Sequence, residues 1–223
     1  MDIQQSLIER IRLADRQGCN ALLDAWATEH GYERLITDVL DPALILIGEE
    51  WSSSGNFSLA QVYIAAKVTE DVLNKIASMR KLPSDGRPPK GPVVIGNIEE
   101  DFHALGRRIV GTFLREEGWI VHDLGNDVPA TAFVDNALEV GARVIGVSAM
   151  MMTTARNIRR VRHEIDSRGL TGRIQLAVGG AVFRVCPGLV QEVGGDGTAP
   201  NALAAPGLFD RLWQQSVGKE AGP

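Results

Sequence analysis

Three short stretches hold the residues best suited to chemistry: Asp101-Phe102-His103-Ala104-Leu105-Gly106, Ser148-Ala149-Met150 and Gly179-Gly180. A neutral imidazole is a good ligand for a transition metal. Its second ring nitrogen must then donate to a carboxylate or carbonyl, which fixes the tautomer and the basicity. Asp101, two residues before His103, is the natural acceptor, and Ser148 would complete that relay from a neighbouring strand end. Glycines at 106, 179 and 180 let backbone approach a bulky ligand where a β-carbon would obstruct it. Taken singly, a histidine at a strand end or a pair of glycines is commonplace. Their ordered conjunction carries the signal. His30, His122 and His163 have no comparable setting, and Asp101, His103 and His122 lack a zinc-ligand spacing. No GxGxxG or GxxxxGK[ST] occurs, which argues against nicotinamide and ordinary nucleotide binding.

The elements that position these residues follow from periodicity. From residue 1 to about 80 apolar residues recur at three and four positions, with interruptions at Gly18, Gly31, Asp41-Pro42 and Ser52–Gly55, as in a small helical bundle. Its last helix is expected to start from Ser58 as N-cap, with Leu59, Val62, Ala65, Ala66, Thr69, Val72, Leu73, Ile76 and Met79 as an inward stripe. Residues 82–92 concentrate proline, glycine and charge and read as a linker. Beyond it, apolar runs at Val93–Ile98, Trp119–Leu124, Arg143–Ser148 and Ile174–Val178, with a weaker fifth at Gly197–Ala199, alternate with helical patterns near 105–117, 130–140, 155–168, 185–193 and 202–215. That order predicts a doubly wound, mostly parallel sheet, whose ligands bind beyond the carboxyl ends of the strands. The three motif stretches follow the first, third and fourth strands.

Composition sets the outer bounds. The 223 residues suit two modest domains, and 44% hydrophobic with 23% charged residues describes a globular chain without an apolar run long enough for a membrane span. A net charge of −5 argues against a nucleic-acid partner, and Arg156, Arg159, Arg160 and Arg162 read as the solvated face of a helix whose core stripe is Ile158, Val161 and Ile165. The first residues lack the pattern of a secretory signal, which leads us to expect a cytoplasmic protein. Cys19 and Cys186 are far apart and read as isolated thiols.

In order and spacing, Asp-x-His-x-x-Gly, Ser-x-Leu and Gly-Gly over residues 92 to about 215 resemble the cobalamin-binding domain of methionine synthase, corrinoid methyl carriers and cobalamin-dependent mutases; Met150 stands at the leucine position. The resemblance implies a Rossmann-like sheet binding cobalamin, as methylcobalamin or another corrinoid. The cofactor's nucleotide tail would be buried in the domain and His103 would be the lower axial ligand of cobalt. Asp101 and Ser148 would support it, and Gly106, Met150, Gly179 and Gly180 would line the cofactor. The segment Gly48 to Val62, with Leu59-x-Gln61-Val62 and Ala65-Ala66, resembles the helical cap before such domains, closest to the carriers of methanol, methylamine and methoxyarene demethylation. Trp51, Gln61 and Val62 would then cover the upper face.

The expected organisation is a helical cap over 1–85, a linker over 86–91 and a cobalamin domain over 92–217. The implied function is methyl carriage between partner methyltransferases on the donor and acceptor sides, without catalysis by the chain alone. Where close carriers often have a second aspartate after the histidine and Gly-Lys-Asn, this chain has Ala104 and Gly106-Arg107-Arg108, which leaves subgroup and docking partner open. Gln61-Val62-Tyr63 lacks the Glu-His pair of cobalamin light sensors. A cobalamin-responsive regulator, the small subunit of an adenosylcobalamin mutase and an interaction module that has lost its cofactor remain as alternatives.

Overall fold

In the computed structural model the chain forms two compact units, Met1–Lys81 and Leu82–Pro223, taken one at a time below. The structure describes residues 2–53, 55–79 and 88–217. Ser54 and residues 80–87, most of the stretch read as a linker, lie outside the described residues.

The first unit is helical: α1 (Ile3–Arg12), α2 (Arg16–His30), α3 (Tyr32–Arg34), α4 (Asp41–Ser53) and α5 (Leu59–Met79), with a wide π-type turn over Leu35–Leu40 between α3 and α4. Two expected breaks are not breaks. Gly18 lies inside the first turn of α2, where its N–H donates to the Asp15 cap at 2.8 Å; the chain turns instead at Ala14, with φ +56°. Asp41-Pro42 is helical. A proline within a helix deprives the carbonyl four residues earlier of its donor and crowds it. Here that carbonyl belongs to Asp38, in the widened turn, and the Gln4 side-chain amide donates to it at 2.7 Å.

Helix α5 begins as expected. Ser58 Oγ accepts from the Gln61 N–H at 3.3 Å while Gln61 Oε1 accepts from the Ser58 N–H at 2.7 Å, a reciprocal capping box. The Gln61 amide also donates to the Arg12 carbonyl at the end of α1, 2.7 Å away. Ala65, Thr69, Val72, Leu73 and Ile76 face the core with Val68, whereas Leu59 and Met79, at the ends of the predicted stripe, are exposed.

The second unit holds four parallel strands, β1 (Lys90–Asn97), β2 (Trp119–Asp123), β3 (Val144–Ser148) and β4 (Gln175–Gly179), in the order β2-β1-β3-β4. Between and after them come α6 (Ala104–Glu116), α7 (Ala130–Val140), the short α8 (Met152–Ala155), α9 (Ile158–Ser167), α10 (Ala181–Val185), α11 (Leu189–Glu192) and α12 (Ala205–Val217). Helices α7 and α9 bury Phe133, Val134, Ile158 and Val161 with Val94, Ile145 and Leu176 of the sheet. Helices α6 and α12 bury Leu114, Phe209 and Leu212 with Val93, Ile95 and Val144. Alternate residues of β1, β3 and β4 thus serve opposite faces, as the near-continuous apolar runs require of a doubly covered parallel sheet, whereas the edge strand β2 exposes Ile120.

Two expectations need correction. Strand β1 starts at Lys90, inside the predicted linker, because Lys90 pairs with Trp119 and its ammonium reaches Asp210 at 2.9 Å; Pro92, without an N–H, sits at the register shift. The fifth strand reduces to a single bridge between Ala177 and Gly197. Connections from β1 and β3 leave on opposite faces, which makes the gap between their carboxyl ends the switch point. Among the described residues no helix is long and apolar enough to cross a membrane.

The capping box yields a prediction that involves no ligand. Ser58→Ala and Gln61→Ala should each destabilise the helical unit by about 1 kcal/mol, measured by urea denaturation followed by helical circular dichroism, and the double variant should cost less than the sum.

Candidate functional site

The carboxyl ends of β1 and β2 are laced together before any functional side chain is placed. Asn97 N donates to Gly125 O at 2.9 Å, Val128 N to Asn97 O at 3.0 Å and Asp127 N to Asp101 O at 3.1 Å. Glu100 and Asp127 both adopt positive φ, +68° and +55°, and are bonded to each other, Glu100 N to Asp127 Oδ1 at 2.8 Å. Two non-glycine residues held left-handed in one pair of loops mark backbone whose shape is fixed by its surroundings.

That loop turns Asp101 inward, where it has no solvent exposure. Its Oδ1 accepts from the Asn97 amide at 2.7 Å and from His103 N at 3.0 Å; its Oδ2 accepts from Met150 N at 2.8 Å and from Thr154 Oγ1 at 3.0 Å. Burial pushes the carboxyl up, but the Met150 and His103 N–H groups, the Asn97 amide and the Thr154 hydroxyl outweigh it and hold it below the usual carboxylate range. Asp101 is therefore a buried anion. His103 Nδ1 lies 3.4 Å from Oδ1, and the histidine side chain is 46% exposed. It precedes α6 as its N-cap residue without making a side-chain capping bond. The two side chains are in ion-pair contact without a hydrogen bond between them; a proton on Nδ1 would face the carboxylate and leave Nε2 as the nitrogen with a lone pair for a metal.

Ser148 does not join the relay expected of it. Thr154, at the start of the helical segment after β3, supplies the hydroxyl on Asp101, and Ser148 lines an adjoining cavity of about 110 Å³. Gly106, Gly179 and Gly180 line the same cavity, with apolar Val110, Val178, Leu208 and Phe209. A β-carbon at Gly106 or Gly179 would meet nothing within 4 Å, so these positions face open space that a ligand can fill. Gly180 is different. It has φ +120°, and a β-carbon there would stand 1.9 Å from the Ala149 carbonyl oxygen, so the close joint between the β3 and β4 loops already demands glycine. Met150 contributes its backbone N–H to Asp101, while its side chain is exposed, as are Phe102 and Met151 on the loops after β1 and β3, Val185 at the end of α10 and Leu203 just before α12.

The remaining candidates belong to the helical unit. Trp51 is 44% exposed on α4, Val62 is partly buried on α5, and Gln61 has the structural work of the capping box. Sequence reasoning missed Asn97, Thr154 and Arg107, the last of which is buried and also borders the cavity. The signal available for Thr154 was a hydroxyl residue opening a helix directly after a strand that carries the motif.

Three substitutions separate these roles. Thr154→Val leaves Asp101 Oδ2 one donor short and should cost about 1–3 kcal/mol, against a much smaller loss for Ser148→Ala, both measured by chemical denaturation. Gly180→Ala should cost at least about 1 kcal/mol whether or not a ligand is present.

A family model described as a B12 binding domain matches residues 91–206, and a second B12 binding domain model matches residues 3–76. Dimethylamine corrinoid protein 2 of Methanosarcina mazei is 41% identical over 115 residues, 52% of this chain and 53% of that protein. The aligned part therefore spans about half the length of that relative. The monomethylamine corrinoid protein of Methanosarcina barkeri superposes with a TM-score of 0.79 at 22% identity, covering 94% of this chain and 98% of that one. The methanol:cobalamin methyltransferase complex of Methanosarcina barkeri gives 0.52 at 23% identity, covering 97% and 83%. Those two likenesses concern the fold. With family models matching both units, the chain belongs to the family of B12-binding domains.

Proposed function

We propose that the chain is a corrinoid carrier, with His103 as the lower axial ligand of cobalamin, passing a methyl group between partner methyltransferases. The observation that carries the ligand assignment is His103 held by a buried, ionised Asp101 at the switch point of the sheet, beside a cavity whose glycines leave room for a ligand. The residues fit the cofactor in three respects. An imidazole whose Nδ1 faces a buried carboxylate suits axial ligation. The exposed Phe102, Met150, Met151, Val185 and Leu203 suit the underside of a large, mostly apolar ring, and the apolar cavity behind Ser148 suits a buried tail.

When bound, the cobalt supplies both the nucleophile that takes up a methyl group and the leaving group that releases it. The chain's own contribution is positional. Asp101 fixes the His103 tautomer, the loops after β1 and β3 hold both groups, and Trp51 of the helical unit is our candidate for shielding the upper face. In this reading the helical unit serves as cap and the domain whose first strand starts at Lys90 as cofactor domain. Relatives and neighbours named for dimethylamine, monomethylamine and methanol support a methyl donor of that kind, delivered by a separate methyltransferase.

The test is an absorbance spectrum after incubation with hydroxocobalamin or methylcobalamin and removal of free cofactor. Wild type should retain cobalamin with a nitrogen ligand below the ring, and His103→Ala should retain it in a base-off form. A variant spectrum identical to wild type would remove His103 from the role, and no retention by wild type would end the carrier reading.

A further inference from the structure

Arg107 stands on the first turn of α6, and only 8% of its side chain is exposed. A buried guanidinium needs acceptors. Nη1 donates to Asn97 Oδ1 at 2.8 Å and to Asn126 Oδ1 at 2.6 Å, and Nε lies 2.8 Å from Asp123 Oδ1 at an angle too bent for a hydrogen bond. The cation therefore joins the end of β1, the end of β2 and the loop after β2.

We infer that Arg107 is a positioning residue for His103 and acts through Asn97. A guanidinium only donates, so it turns the Asn97 oxygen towards itself and the Asn97 nitrogen away. That nitrogen donates to Asp101 Oδ1 at 2.7 Å and to the His103 carbonyl at 3.2 Å. The other asparagine held by the cation, Asn126, donates to the Phe102 carbonyl at 3.4 Å. Both amides bonded to Arg107 thus end on the three-residue segment that carries Asp101 and His103. Without the cation, Asn97 Oδ1 becomes a buried acceptor with no donor, and the side chain gains by leaving the orientation that serves Asp101. Arg107 borders the cavity without contacting His103, so its effect on the imidazole is indirect. The planar fork of arginine reaches several acceptors at once, whereas a lysine ammonium would serve as a point charge with rotatable donors.

The experiment has two arms, only the second of which rests on the carrier reading. In the cofactor-free protein, nitrogen-15 NMR of the His103 ring, at a pH where the ring is neutral, reports which nitrogen holds the proton. Wild type should be mainly Nδ1–H. Arg107→Met should shift the ratio towards Nε2–H by about two- to tenfold, the range of one hydrogen bond. Arg107→Lys, which keeps a donor for Asn97 Oδ1 without the fork, should restore part of it, and Arg107→Met should add nothing in an Asn97→Ala background. In the loaded protein, the fraction of cob(II)alamin with an axial histidine nitrogen should fall in the same variant order. An unchanged tautomer ratio in Arg107→Met, or an effect that adds fully to that of Asn97→Ala, overturns the proposal. Should Arg107→Met not fold, Asn97→Asp decides: it keeps the arginine's acceptor and removes the donor to Asp101, so an unchanged ratio there also overturns it. Failure of wild type to retain cobalamin would count against the carrier reading and leave the tautomer arm to decide this one.

Discussion

A carboxylate withdrawn from water is costly unless hydrogen-bond donors surround it, and the carboxyl-end edge of this sheet is organised around meeting that requirement for Asp101. Its donors come from different places in the chain: the end of β1 (Asn97), the loop that follows (His103 N), the loop after β3 (Met150 N) and the helical turn after that (Thr154). The carboxylate is stable as an anion only when β1 and β3 lie side by side with their loops in place. His103, whose N–H is one of those donors, is thereby coupled to the completed sheet.

The same constraint explains several local features. Glu100 and Asp127 are held at positive φ because the two loops must close on each other for Asp101 to turn inward. Gly180 is required where the loop after β4 passes against Ala149, which brings Gly179 and the cavity alongside the residues that hold Asp101. Arg107 extends the network one step further, fixing the asparagine that donates to the carboxylate. The outcome is an imidazole that is half exposed but preorganised, which lowers the cost of ordering it when a ligand arrives.

Much of this was legible in the sequence, for identifiable reasons. Short apolar runs located all four strands and the three-to-four-residue period the helical half, and local spacing put Asp101 and His103 in one loop. Capping chemistry gave the start of α5 at Ser58. Failures arose where the deciding contact was remote. Thr154 reaches Asp101 from 53 residues away, so only the fold reveals that it, and not Ser148, provides the hydroxyl. Pro42 reads as a helix break until Gln4 is seen to satisfy the Asp38 carbonyl. Lys90 reads as linker until Trp119 pairs with it. Gln61 was suggestive through resemblance, although its Ser-x-x-Gln spacing also encoded the capping box it forms.

The central claim is that His103 nitrogen binds cobalt from below, and the most direct measurement is the electron paramagnetic resonance spectrum of bound cob(II)alamin in protein labelled with nitrogen-15 histidine. If His103 is the ligand, the triplet splitting given by natural-abundance nitrogen becomes a doublet on labelling and is lost in His103→Ala. A triplet that persists in the labelled protein would show that the axial nitrogen belongs to the cofactor's own base and would contradict the account.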